Sequence, residues 1–238
     1  MGAAVLLMSL VGCAPARMSL KPSFWKETQL KVGVATLPPQ KFAAYRAGSQ
    51  GLMDMAINSA MAGSLEAHLQ SMDASKFAAV ADQYVERLTE RGLNARKLDK
   101  PVNPNLLQSF SAPGSGEFAE KDMRPLAEKE DIDMLILLSL QQCGTIRKYY
   151  GFIPLGAPEA VCVSKGEMIN LKTNEIAWRA YPEMSEAMLP VEGEWDQAPD
   201  YRNVTRAVDR AMSQAQLFLL KEFFGSARGG TAVSQSRR

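Results

Sequence analysis

The chain offers few residues for group transfer or metal chemistry. Its one histidine is His68, and its three cysteines are Cys13, Cys143 and Cys162. A single imidazole supports at most one His-based triad and argues against a multi-His zinc centre. No Cys-x-x-Cys occurs, so neither a zinc ribbon nor a dithiol redox site is expected. His68 lies beside Glu66 in a Met-rich segment, and no G-x-S-x-G elbow accompanies it. Gly114-Ser115-Gly116 lacks the Gly-Lys-Ser/Thr ending of a phosphate loop. Glu128, Glu130, Asp131 and Asp133 form an acidic cluster. Two of these carboxylates could divide acid and base roles in a hydrolase. A solvated helix end before a buried strand is the simpler account. No catalytic residue, metal ligand or cofactor is therefore expected.

The cysteines point elsewhere. Residues 3–11 are a short run, apolar apart from Ser9. A bilayer span needs about 20 residues, whereas this length suits the h-region of a signal peptide. Leu10-Val11-Gly12-Cys13 then resembles the bacterial lipobox, which implies acylation of Cys13, palmitate included. One acyl chain binds a membrane only marginally, and several anchor it. Ala14 stands where the inner-membrane retention signal carries Asp, which implies the outer membrane. An oxidising compartment favours disulfides. With Cys13 acylated, Cys143 and Cys162 remain as an even pair, either bonded to each other or buried as free thiols. A bond closing a loop of this size stabilises by about 3 kcal/mol in the chain-entropy model.

These residues need elements to place them. Composition is that of a globular chain: 238 residues, 46% apolar and 22% charged. With 27 Lys plus Arg against 26 Asp plus Glu, the chain lacks the basic footprint of a nucleic-acid binder. We expect a signal peptide over 1–12, a tether over 13–28, one domain over 29–225 and a disordered tail over 226–238. Leu30, Val32 and Val34 alternate and predict a strand over 29–37, ended by Pro38-Pro39. Helical spacing over 48–72 joins Met53, Met55, Met61 and Met72 to small residues. Asp73 is placed to cap a second helix over 74–91, which Gly92 stops. A short strand over 93–98, a long loop over 99–116 and a charged helix over 117–130 follow. Residues 132–140 are the most apolar run after the leader, as in a strand buried on both faces.

Residues 147–160 hold three aromatics, two prolines and two glycines and predict an extended loop or hairpin tip. Strands over 161–171 and 176–181 flank a turn at 172–175. A long amphipathic helix spans 201–224. The order predicts one α/β (α+β) domain, a mixed sheet of about five strands with helices packed on it. Tyr149, Tyr150, Phe152, Ile153 and Leu155 would bind a partner if the tip projects, since exposed apolar patches mark contacts. The tip could equally fold back and cap the core.

Two stretches carry a family resemblance. Val32-Gly33-Val34-Ala35-Thr36-Leu37-Pro38-Pro39 resembles the first strand and exit of periplasmic lipoproteins related to the curli secretion protein CsgG. Residues 132–137 and the hairpin over 166–178 are similar to the later strand and "L-V-D-x-x-T-G-x-x-x-W" pattern of that family. Asn170 and Asn174-Glu175 replace its usual Asp and Gly. The resemblance implies a sheet-and-helix domain like CsgG and the TolB N-terminal domain. It also implies a non-catalytic role in export or envelope assembly, docking another envelope protein or a second copy. The expected protein is thus lipid-anchored at the periplasmic face of the outer membrane. The competing readings are a periplasmic hydrolase using the acidic cluster, and a carrier of lipid or another apolar ligand in a cavity lined by the Met-rich helix.

Overall fold

The computed structural model describes residues 16–49 and 63–225. Cys13, most of the Met-rich segment and the 226–238 tail lie outside the described residues. The elements run β1 (Lys31–Thr36), β2 (Ala43–Ser49), α1 (Gly63–Ser71), α2 (Ala79–Glu90), β3 (Asn94–Lys97), α3 (Pro125–Glu130), β4 (Met134–Tyr150), β5 (Ile153–Pro154), β6 (Glu159–Asn170), β7 (Ile176–Ala180), β8 (Met188–Pro190) and α4 (Arg202–Gly225). The α+β class stands, but the mixed sheet has eight strands rather than about five.

β4 and β6 form the spine, an antiparallel ladder from Met134↔Asn170 to Ile146↔Glu159. β1 lies parallel to the first half of β4, and β2 lies parallel to its second half on the same edge. Pro38 and Pro39 sit between β1 and β2. Proline has no N–H to give a ladder, so one long edge strand becomes two. β3 extends the sheet beyond β1, β7 and β8 pair with β6, and β5 turns back on β4.

Opposite the proline break, the β4–β6 register shifts between Leu140 and Gln142. A bulge of this kind flips which residues face each side of the strand. Before it, Met134, Ile136 and Leu138 join the core under the helices, while Leu135 and Leu137 join a second core on the other face. After it, Cys143 joins the helix-side core, and Ile146 packs with Val161 and Val163 on the opposite face. Cys143 and Cys162 therefore stand directly opposite each other, and they are disulfide-bonded. Without the shift, Cys143 would face Val161.

α1, α2 and α4 cover one face of the sheet. α4 lays Val204, Val208, Ala211, Leu219 and Phe223 on it, as its spacing predicts. Gly166 allows the Trp178 ring to lie across it; a Cβ there would meet that ring at 2.4 Å. α3 and the 99–123 segment cover the other face. The helix expected over 117–130 is only Pro125–Glu130, because residues 117–121 form bridges to Glu175 and Ser109 instead. Asn174 has a structural role of its own. It adopts φ +65°, which Asn tolerates. Its fully buried amide also receives the Met123 N–H and donates to the carbonyls of Ala119 and Lys121.

Two expectations need correction. Residues 43–49, partly assigned to a helix from Gly48, are β2. This run has no β-branched residue, and its strand conformation comes from pairing with β4. Glycine is required along that seam. A Cβ at Gly144 (φ +138°) would lie 2.1 Å from the Ala43 carbonyl oxygen, and one at Gly48 (φ +108°) equally close to that of Tyr149. The expected tether is also docked from residue 16 onward. Met18 exchanges two backbone hydrogen bonds with Arg179. Leu20 and Phe24 are buried, with Phe24 and Trp25 packed edge-on against Phe223. Phe24→Ala should therefore destabilise the protein by about 3–5 kcal/mol in urea unfolding, as a core aromatic does. A tether residue would leave the midpoint unmoved.

Candidate functional site

The second half of β4 builds the site. Beyond the bulge, odd residues face the helices, so Thr145, Arg147 and Tyr149 line one wall of a cavity of about 340 Å³. Arg46 stands beside Arg147 in register. Ser64 and Leu65 of α1 and Tyr201 at the head of α4 form the opposite wall, and Trp195 and Phe152 close the mouth. The Arg147 Nε donates to the Gly156 carbonyl at 2.7 Å. Its guanidinium lies 4.4 Å from the Trp195 ring centroid and 5.8 Å from that of Tyr149. Both contacts fall within cation–π range. The Ser64 and Tyr201 hydroxyls are 2.6 Å apart.

The same alternation divides the expected partner-binding set. Tyr149 is buried at 8% exposure and belongs to the cavity wall, which corrects its placement on the tip. Tyr150, Phe152, Ile153 and Leu155 are 71%, 58%, 52% and 62% exposed. Tyr150 pairs with Ile153, and both face away from the cavity. The loop expected over 147–160 is thus the end of β4, a tight turn, β5 and the start of β6. It projects, and the Cys143–Cys162 bond crosses its base.

The acidic cluster does not converge on a cavity. Both Asp131 carboxylate oxygens accept from the Lys31 ammonium, at 2.7 and 2.8 Å. Asp133 Oδ2 accepts the Lys31 backbone N–H at 2.8 Å. Glu130 lies 3.7 Å from Arg96. These carboxylates join β1 and β3 to the entry of β4. His68 links α1 to α4 through a 2.8 Å hydrogen bond with Thr205. Its neighbour Glu66 accepts the Ala44 N–H at 2.6 Å, occupying the free edge of β2. A second cavity of about 300 Å³, on the other face, is lined by Lys165, Glu167 and Arg179, joined in a chain of ion pairs 2.9–3.0 Å long that continues to Glu117. Among the described residues there is no cluster of metal-ligating side chains, and no helix is long and apolar enough to cross a membrane.

Arg46, Arg147, Trp195 and Tyr201 are absent from the sequence-derived sites. Trp195 sits in an irregular stretch without periodicity. Arg147 could be placed only by knowing the bulge.

No protein-family model matches the chain, and no curated protein matches it. Solved structures match it in outline. The PelC dodecamer from Paraburkholderia phytofirmans is 11% identical, with a TM-score of 0.32 over 84% of this chain and 95% of that one. The DUF330 protein XCC0632 from Xanthomonas campestris is 11% identical, with a TM-score of 0.38 over 91% and 97%. Lipoprotein GNA1162 from Neisseria meningitidis is 8% identical, with a TM-score of 0.24 over 63% and 80%. Scores this low assign neither a family nor a function to the chain.

The Lys31 hydrogen bonds and charge hold the Asp131 carboxyl below the usual carboxylate range. A carboxyl depressed in the folded state stabilises above its unfolded value, and that contribution disappears as pH falls through the folded value. Asp131 has φ +47°, which Asn also tolerates. Asp131→Asn should lower the urea midpoint at pH 7, and the difference from wild type should begin to shrink as pH falls below about 4, disappearing once the depressed Asp131 carboxyl is protonated in the folded protein. A difference independent of pH would show that the Lys31 pair contributes nothing.

Proposed function

We propose that this protein is a lipid-anchored lipoprotein at the periplasmic face of the outer membrane. It acts without catalysis, as an accessory or assembly factor that docks an envelope protein or a second copy of itself. The observation that carries the docking role is the β4–β5 hairpin, which presents Tyr150, Phe152, Ile153 and Leu155 to solvent. Large apolar groups held out from a braced hairpin suit a protein contact, where aromatic side chains supply most of the binding energy. The anchor rests on the lipobox-like Leu10-Val11-Gly12-Cys13. The CsgG and TolB resemblance rests on the segments quoted for it, and the solved neighbours are too distant to add weight.

Arg17 contacts the Tyr181 carbonyl, Glu186 and the Phe218 ring. An acylated Cys13 would thus be held within about 14 Å of the body, since each residue spans at most about 3.6 Å.

Replacing Tyr150 and Ile153 together by Ser should weaken crosslinking to the partner, or self-association in sedimentation, by about tenfold or more, as expected of contact hot spots. The urea midpoint should stay close to wild type. Unchanged association would remove the tip from the docking surface. Cys13→Ser should move the protein from the membrane to the soluble fraction, and retention on membranes would remove the anchor.

A further inference from the structure

We propose that the cavity under Trp195 is a binding site for an organic anion, a carboxylate or phosphate carried on a flat apolar group. The volume, about 340 Å³, falls at the small end of small-molecule pockets. Its walls divide by chemistry. Tyr149 and Tyr201 are buried rings, and with Trp195 they offer flat apolar surface. Arg147 supplies the charge. Its Nε is committed to the Gly156 carbonyl and its plane is stacked on Trp195. The guanidinium is therefore held in one orientation before any ligand arrives.

A guanidinium has five N–H donors and no acceptor, and among the described residues only Nε donates a hydrogen bond. Among the described residues no carboxylate forms an ion pair with Arg147, although Asp196 also lines the cavity. Arg124, Arg179 and Arg210 all have carboxylate partners. Arg46 lies in register beside Arg147 on the neighbouring strand and also lines the cavity. An anion entering between the rings would meet a preorganised fork suited to bidentate contact.

The site meets the docking patch at Phe152, which lines the cavity mouth, but Tyr150 and Ile153, which test the patch, face the other side of the strand. A failure here would leave the docking proposal standing. The test uses calorimetric or NMR titration of the purified protein with phenylacetate, phenyl phosphate and the neutral phenylacetamide. At least one of the two anions should bind, and the tighter of them identifies the acid group recognised. Phenylacetamide should bind about tenfold or more weakly than that anion, the scale of a charge-assisted hydrogen bond. Arg147→Met should lose a similar factor, and Tyr150→Ser should lose none. The proposal is overturned if neither anion binds by about 10 mM, if the amide binds as well as the acid, or if Arg147→Met binds like wild type. Should Arg147→Met fail to fold, the acid–amide comparison on the wild-type protein decides the matter.

Discussion

The antiparallel ladder of β4 and β6, with its one shift of register between Leu140 and Gln142, is the constraint on which the rest of the molecule depends. Strand side chains alternate between faces with a period of two, so a single extra residue exchanges the faces for everything beyond it. On one side of the shift the ladder is an ordinary central strand pair, buried on both faces by helices above and by α3 with its loop below. On the other side it carries the disulfide, the cavity and the projecting hairpin. The break at Pro38-Pro39 on the neighbouring edge falls at the same level. Both edges of β4 therefore change there, and β2 resumes where β1 stops.

The physical consequences can be traced residue by residue. The shift puts Cys143 opposite Cys162, turns Tyr149 inward and Tyr150 outward, and places Arg147 under Trp195 rather than in solvent. The disulfide closes the base of a hairpin whose outer end has few core contacts of its own. A tip with large apolar groups exposed is held in place from below, by the cross-link, the β2 seam and the Arg147–Gly156 hydrogen bond.

Much of the fold is legible in the sequence where one physical signal dominates. The alternation of Val32 and Val34, the apolar run from Ile132, the hairpin turn at 172–175 and the stripe of α4 all report burial directly, and the structure bears them out. The Cys143–Cys162 pair, which the sequence leaves as either bonded or free, is bonded in the structure. What is not legible depends on partners distant in sequence. β2 is a run rich in Ala and Gly that is extended only because β4 is beside it. Residues 16–28 look polar, yet Leu20 and Phe24 are enough to dock them. The bulge leaves no local signature, so Tyr149 could not be told from Tyr150, nor Arg147 assigned a face. The cavity was hidden for the same reason: its walls come from four separated segments.

The shifted register makes one covalent statement, because only with the shift do Cys143 and Cys162 share a face. Peptide mapping of the alkylated, non-reduced protein reads it directly. A single cross-linked species joining the Cys143 and Cys162 peptides is the expected result. Recovery of both as separately alkylated peptides from protein kept under oxidising conditions would contradict the cross-link that braces the base of the hairpin.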